Sequence, residues 1–113
     1  SFPFFTVAPR QRYMFFEGKV VLVTGSSDGI GRSTAVLFAK AGAKVVITGR
    51  SEEKLEETER QCLHARAGEE NICKIAGDIT DRGFIERLVT DTVEKFGRLD
   101  VLVNNAGAAI LNH

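Results

Sequence analysis

Between positions 19 and 104 the chain alternates short unbroken apolar runs with longer segments in which apolar residues recur every three or four positions. Runs of the first kind predict strands buried on both faces, and segments of the second kind predict the helices that cover them. Strands are expected over residues 19–24, 44–48, 72–76 and 99–104, and helices over about 29–41, 51–67 and 81–96. This alternation is the signature of an α/β fold with a parallel sheet covered on both sides. The first helix carries Ile30, Thr34, Leu37, Phe38 and Ala41 at helical spacing, and Gly42 stands where a left-handed residue closes a helix. In the second, Ser51 is the expected N-cap, Glu52 and Glu53 suit the positive end of the dipole, and the dense charge up to position 60 reads as a solvated face. The third places Ile85, Leu88, Val89, Thr92, Val93 and Phe96 on one stripe and stops at Gly97.

Residues 1–13 follow neither period: Phe2, Phe4 and Phe5 lie beside Pro3 and Pro9. An irregular arm over residues 1–17 is expected, with Met14 as a candidate true start just ahead of a domain over 18–113. Arg10 and Arg12 after an apolar patch leave the tail of a targeting segment open, although no cleavage site is recognisable.

Composition narrows the class. With 43% hydrophobic and 27% charged residues, 113 residues make an ordinary globular domain with a real core. Fifteen basic and fifteen acidic side chains cancel, so no global field steers the protein to nucleic acid or an anionic membrane. No apolar run approaches the roughly 20 residues of a membrane span. Cys62 and Cys73 lack metal-ligand spacing; free thiols, no metal site and a reducing, cytoplasmic location are expected.

The candidate chemistry begins where the first strand meets the first helix, at Val23-Thr24-Gly25-Ser26-Ser27-Asp28-Gly29-Ile30-Gly31-Arg32. Gly25 can end the strand in a tight turn, Gly29 lets backbone approach a phosphate without a Cβ in the way, and Gly31 lets the helix pack close to the strand. Backbone N–H groups at the helix start then point at the anion, helped by the dipole. Gly25, Ser26, Ser27, Asp28, Gly29, Ile30 and Gly31 are therefore candidate cofactor-binding residues. The spacing is G-x-x-x-G-x-G rather than the commoner G-x-G-x-x-G, and a glycine-rich turn made only for packing is the competing reading.

Thr24-Gly25-x-x-x-Gly29-Ile30-Gly31, taken with Asn104-Asn105-Ala106-Gly107 at the end of the fourth strand, resembles the short-chain dehydrogenase/reductase family of NAD- or NADP-dependent oxidoreductases. The resemblance covers residues 18 to about 107. It implies a Rossmann-type doubly wound parallel sheet, cut off after the fourth strand, in the order 3-2-1-4. It also implies that Asn104 and Asn105 brace the cofactor side of the sheet through side-chain-to-backbone hydrogen bonds, and that Ala106 and Gly107 let the adenosine ribose lie close. Asn105, Ala106 and Gly107 thereby join the cofactor-binding set. Gly77-Asp78-Ile79 resembles the family's acidic position after the third strand, where Asp78 would accept from the adenine amino group while a neighbouring backbone N–H pairs with the ring. Asp78 and Ile79 are added on that ground, against the alternative that Asp78 caps a turn before the third helix, which Asp81 could also do.

Cofactor choice falls at the end of the second strand. An NAD site needs an acidic residue there, whereas a 2′-phosphate needs room and a cation. Gly49 leaves room and Arg50 offers a planar fork, so NADP(H) is expected over NAD. Asp28 in the loop works against a second negative charge, and an Arg50 pointing into solvent is the bland alternative.

The family's proton chemistry uses a Tyr-x-x-x-Lys pair and a serine. Here Tyr13 is the only tyrosine and Glu17 stands four residues on, so no catalytic residue is assigned. His64 reads as a helix-surface residue and His113 as a terminal one. The resemblance thus implies the cofactor-binding half of a reductase whose intact form is homo-oligomeric and acts on a small carbonyl or alcohol, the chain itself being inactive. A non-catalytic dinucleotide-binding module is the alternative. A P-loop or methyltransferase reading of the glycines is weaker, since no Gly-Lys-Ser/Thr follows them. The apolar run Val101-Leu102-Val103, buried in the family's sheet, would be left here as an edge prone to pair with another chain.

Overall fold

The computed structural model describes residues 15–66 and 68–105. Strands β1 (Val20–Thr24), β2 (Lys44–Gly49), β3 (Ile72–Ala76) and β4 (Val101–Asn104) form one parallel sheet in the order β3-β2-β1-β4. Helices α1 (Gly29–Lys40), α2 (Glu52–Ala65) and α3 (Arg82–Phe96) make the crossovers, and a short 3-10 turn at Glu69–Asn71 precedes β3. The α/β class and the 3-2-1-4 order are those expected. Among the described residues no helix is long and apolar enough to cross a membrane.

β1 lies in the middle of the order with neighbours on both sides, which is why its run of Val20, Val21, Leu22 and Val23 needs no polar position. Side chains alternate across it. Val21 and Val23 join Val45, Ile47 and Ile72 under Ala35 and Ala39 of α1 and Leu55 and Cys62 of α2, while Leu22 and Val46 meet Phe84 and Leu88 of α3. Phe16, in the turn at residues 15–18, stacks edge-on against Phe38 at 5.0 Å and donates its N–H to the Ala41 carbonyl. Neither cysteine is in a disulfide; burial pushes the Cys62 thiol up to about 12, the behaviour of a packing residue.

Several local signals act as the sequence predicts. Ser51 Oγ accepts the Lys54 N–H at 3.2 Å, Asp81 Oδ1 accepts the Gly83 N–H at 2.9 Å, and Gly97 closes α3 at φ +83°. Two helix faces differ from expectation. α1 buries Gly31, Ala35 and Ala39, whereas Ile30 and Leu37 are 77% and 65% exposed. Small side chains are what let α1 approach the sheet, so Ile30 and Leu37 of the expected stripe face out while Phe38 packs at the edge of the core. α3 buries Phe84, Leu88 and Thr92, with Val89 and Val93 exposed. Phe84, absent from the expected stripe, fits because Gly77 has no side chain: a Cβ there would lie 2.2 Å from the Phe84 ring. β4 also begins two residues later than expected, since Leu99 turns into the α3 core and the Asp100 carboxylate takes the Val20 N–H at 2.8 Å.

Candidate functional site

All four strands are parallel, so their C-terminal ends share one edge of the sheet, where ligands bind in open α/β folds. The glycine loop leaves β1 there. Gly25 and Gly29 take left-handed φ values of +63° and +58°, which residues with a Cβ rarely adopt. A Cβ on Gly31 would fall 1.8 Å from the Gly25 carbonyl oxygen, so the first turn of α1 lies directly on the turn that ends β1. Among the described residues nothing stands within 4 Å of where a Gly29 Cβ would be. The Asp28 side chain makes no capping bond to α1, and the loop therefore offers bare backbone at an uncapped helix N-terminus.

Ser26 stitches this loop to the sheet. Its N–H donates to the Thr48 carbonyl at 3.0 Å, its Oγ accepts the Thr48 N–H at 2.9 Å, and its hydroxyl donates to the Val23 carbonyl at 2.9 Å. Ser26 is fully buried, with both donors engaged inside the protein.

Beside the loop opens a cleft of about 280 Å³, walled by Ser27 and Asp28, by Thr48 and Arg50 at the end of β2, and by Ile79 and Thr80 after β3. Arg50 Nη2 lies 3.6 Å from Asp78 Oδ1, and Lys54 Nζ 3.0 Å from Asp28 Oδ2, all four side chains largely exposed. Each carboxylate at the rim thus already faces a cation. Asp78 Oδ1 also accepts from the Thr80 N–H at 3.0 Å and from its hydroxyl at 2.7 Å; those bonds first, and then Arg50, hold the Asp78 carboxyl below its ordinary value. Asp78 therefore closes an Asx turn, and Asp81 caps α3. The space beside Gly49 is taken: a Cβ there would meet Ser27 Oγ at 1.9 Å, so this glycine serves the close approach of the loop and does not keep a gap for a ligand.

Asn104 joins the sheet end to β1, accepting from the Thr24 hydroxyl at 2.9 Å. Asn105 follows, exposed. Ala106 and Gly107 lie outside the described residues, as do Tyr13 and His113. His64 sits on the exposed side of α2, beside a wide shallow groove of about 920 Å³ between α1 and α2. That groove is larger than the cleft but lies away from the strand ends and the loop's backbone donors, which makes the smaller cleft the better candidate. Among the described residues no cluster of His, Cys, Asp or Glu could hold a metal.

The sequence reading missed Thr48, Lys54 and Thr80. Thr80 was signalled by the Asp-x-Thr spacing of an Asx turn. Lys54 meets a residue 26 positions away, which no local pattern marks. The Thr48 hydroxyl, on the inner wall, is buried and unpartnered among the described residues. A phosphate-bearing nucleotide fits this arrangement, for the cradle at Gly29 is open, the helix end uncapped and two cations stand at the rim.

Comparison with known proteins leads to one family. The short chain dehydrogenase model matches residues 19–113. An uncharacterized oxidoreductase of Thermotoga maritima is 51% identical over 94 residues, which are 83% of this chain and 36% of that protein. The apo-form structure of Caenorhabditis elegans glucose dehydrogenase superposes with a TM-score of 0.78 at 52% identity, covering 86% of this chain and 41% of the other. The C-domain of a bacterial malonyl-CoA reductase, solved with NADP, gives 0.79 at 33% identity, covering 88% of this chain and 16% of that one. The chain thus spans well under half the length of these relatives, and it does so over the sheet, the glycine loop and the cleft just described. It belongs to the short chain dehydrogenase family.

Proposed function

We propose that these residues form the dinucleotide-binding part of an oxidoreductase that moves a hydride between a nicotinamide cofactor and a small carbonyl or alcohol, with NADP(H) preferred. The observation that carries the proposal is the uncapped start of α1 behind Gly29, beside a cleft with Arg50 on its rim. Family membership supports the chemistry, and the NADP in the related malonyl-CoA reductase domain supports the cofactor class. When bound, such a cofactor supplies hydride donation or acceptance. The chain's own residues bind and orient it: loop N–H groups face the pyrophosphate, Asp78 and Ile79 the adenine, and Asn105, Ala106 and Gly107 the ribose.

Arg50 pairs with the 2′-phosphate by leaving Asp78. Both partners are largely exposed, so the exchange costs little. The two unpaired thiols support a reducing, cytoplasmic location. Neither a Tyr-x-x-x-Lys pair nor its serine is assigned in these 113 residues, so they are given binding and orientation, and carbonyl reduction by this chain alone is expected at background. The intact enzyme is proposed to be a homo-oligomer.

Calorimetric titration tests the cofactor assignment. Arg50→Ala should weaken NADPH by about 1.5–3 kcal/mol, the range for hydrogen bonds to a charged group, and leave NADH unchanged. Equal losses for both would remove Arg50 from the 2′-phosphate.

A further inference from the structure

A backbone that binds an anion through N–H groups must have those groups aimed, and in a trans peptide the N–H points opposite the C=O of the same unit. Whatever grips the carbonyls at Ser26 and Ser27 therefore sets the direction of the N–H groups at Ser27 and Asp28. Both carbonyls are gripped by side chains from the two helices that flank the loop. Thr58 Oγ1 donates to the Ser26 oxygen at 2.7 Å, and Arg32 Nη2 donates to the Ser27 oxygen at 2.5 Å. The two grips are joined, because Arg32 Nε donates to Thr58 Oγ1 at 2.8 Å; the hydroxyl's single proton goes to the Ser26 oxygen at 2.7 Å, the nearest of its acceptors, with the Ser27 and Lys54 oxygens at 3.3 Å. Arg32 Nη2 also reaches the Lys54 carbonyl at 3.0 Å, tying the unit to the first turn of α2. Thr58 is fully buried, a polar side chain on the core stripe of α2 between Leu55 and Cys62. Among the described residues the N–H groups of Ser27 and Asp28 have no hydrogen-bond partner.

We propose that Arg32 and Thr58 are positioning residues of the phosphate loop: by holding the Ser26 and Ser27 carbonyls against α1 and α2, they aim the Ser27 and Asp28 N–H groups at a pyrophosphate. The proposal rests on the dinucleotide reading above and adds to it two side chains that touch no ligand. It makes α2 part of the phosphate site.

The test separates ligands by the group they carry. ADP-ribose has the pyrophosphate and lacks the 2′-phosphate; adenosine 2′-monophosphate has the reverse. Calorimetry on the 113-residue protein with T58V, T58S and R32M, and thermal melting of each, should give a clear pattern. T58V and R32M weaken ADP-ribose, NADH and NADPH alike, by roughly tenfold or more for a lost charged hydrogen bond. Adenosine 2′-monophosphate binds them as it binds wild type, and T58S, which keeps the hydroxyl, restores ADP-ribose. If T58V does not fold, R32M carries the same readout from a partly exposed position. Wild-type affinity for ADP-ribose in R32M would overturn the proposal, as would parallel losses for both ligand types, the mark of a merely structural role. Selective loss of NADPH in Arg50→Ala beside an unaffected R32M would overturn this proposal alone, whereas a wild type that binds none of these ligands would overturn the dinucleotide reading as well.

Discussion

Leu22 and Leu102 are register partners on neighbouring strands and point to the same side of the sheet, yet Leu22 is 1% exposed and Leu102 is 53% exposed. On the opposite side, their flanking residues Val21 and Val23 are fully buried beneath α1 and α2, and Val101 and Val103 pack against that same core. Two helices close the first face. On the second, α3 covers Leu22 and Val46 but leaves Leu102 and Val89 open around an apolar cavity of about 140 Å³, and Val93 is exposed as well. Burial in this molecule follows helix coverage and not side-chain hydrophobicity, so equal leucines contribute unequally.

The largest expected effect tests that inequality directly. Leu55 of α2 is fully buried on the closed face, and Leu55→Ala should cost about 2–5 kcal/mol, the usual sum of lost transfer energy and cavity. Leu102→Ala, with half of its side chain already in water, should cost about 1 kcal/mol or less. Urea denaturation measures both. Equal costs would mean that the second face is covered in solution, and the contrast between the faces would fail.

A smaller effect on stability, with a larger one on association, is expected of Leu102→Lys. Within the described sheet β4 is an edge, its Val101-Leu102-Val103 run apolar and with no lysine among its four residues. β3, the other edge, carries Lys74, which lies 3.5 Å from Glu59 and 3.7 Å from Glu56 of α2. A charged edge resists pairing with a second chain and a bare apolar one invites it. Light scattering should find the wild-type chain self-associating and Leu102→Lys less so, while the melting temperature changes little. A monomeric wild type would show that the open face does not drive association.

What could be read from the sequence divides along similar lines. β1 and β2 were legible because a strand buried on both faces is an unbroken apolar run, and helix ends because Ser51, Asp81 and Gly97 act within one turn of themselves. The inner face of α1 was not. Its contact with the sheet is made by Gly31, Ala35 and Ala39, residues too small to dominate a hydrophobic pattern, while Ile30 and Leu37 dominate it from outside. In the candidate site, the glycine loop was legible because its conformational demands are local. The ion pairs of Arg50 with Asp78 and Lys54 with Asp28 were not, for they join residues 28 and 26 positions apart and depend on where α2 starts over the loop. Gly49 was read as leaving room for a ligand, but the group that occupies the space beside it is the Ser27 side chain, which only the packed loop reveals.

The smallest effect concerns how β4 is held to the better-covered β1. Asp100 receives Arg98 at 2.8 Å and 3.1 Å and accepts the Val20 N–H at 2.8 Å, and its own N–H donates to the Val20 carbonyl. Arg98 first, and the Val20 N–H second, hold the Asp100 carboxyl below its ordinary value. A carboxylate whose folded value is depressed adds stability that is fully present above its unfolded value, about 3.9, and that fades as pH falls through the folded one. Acid should therefore loosen β4 from β1. Asp100→Asn keeps an acceptor for the Val20 N–H but cannot titrate, so its stability should be slightly lower near neutral pH and fall less between about pH 5 and pH 2. Denaturation midpoints of both proteins across that range measure the difference. Parallel curves would mean that Asp100 does not couple β4 to pH, and that β4 is held to β1 by the ladder and by Val101 and Val103 on the closed face.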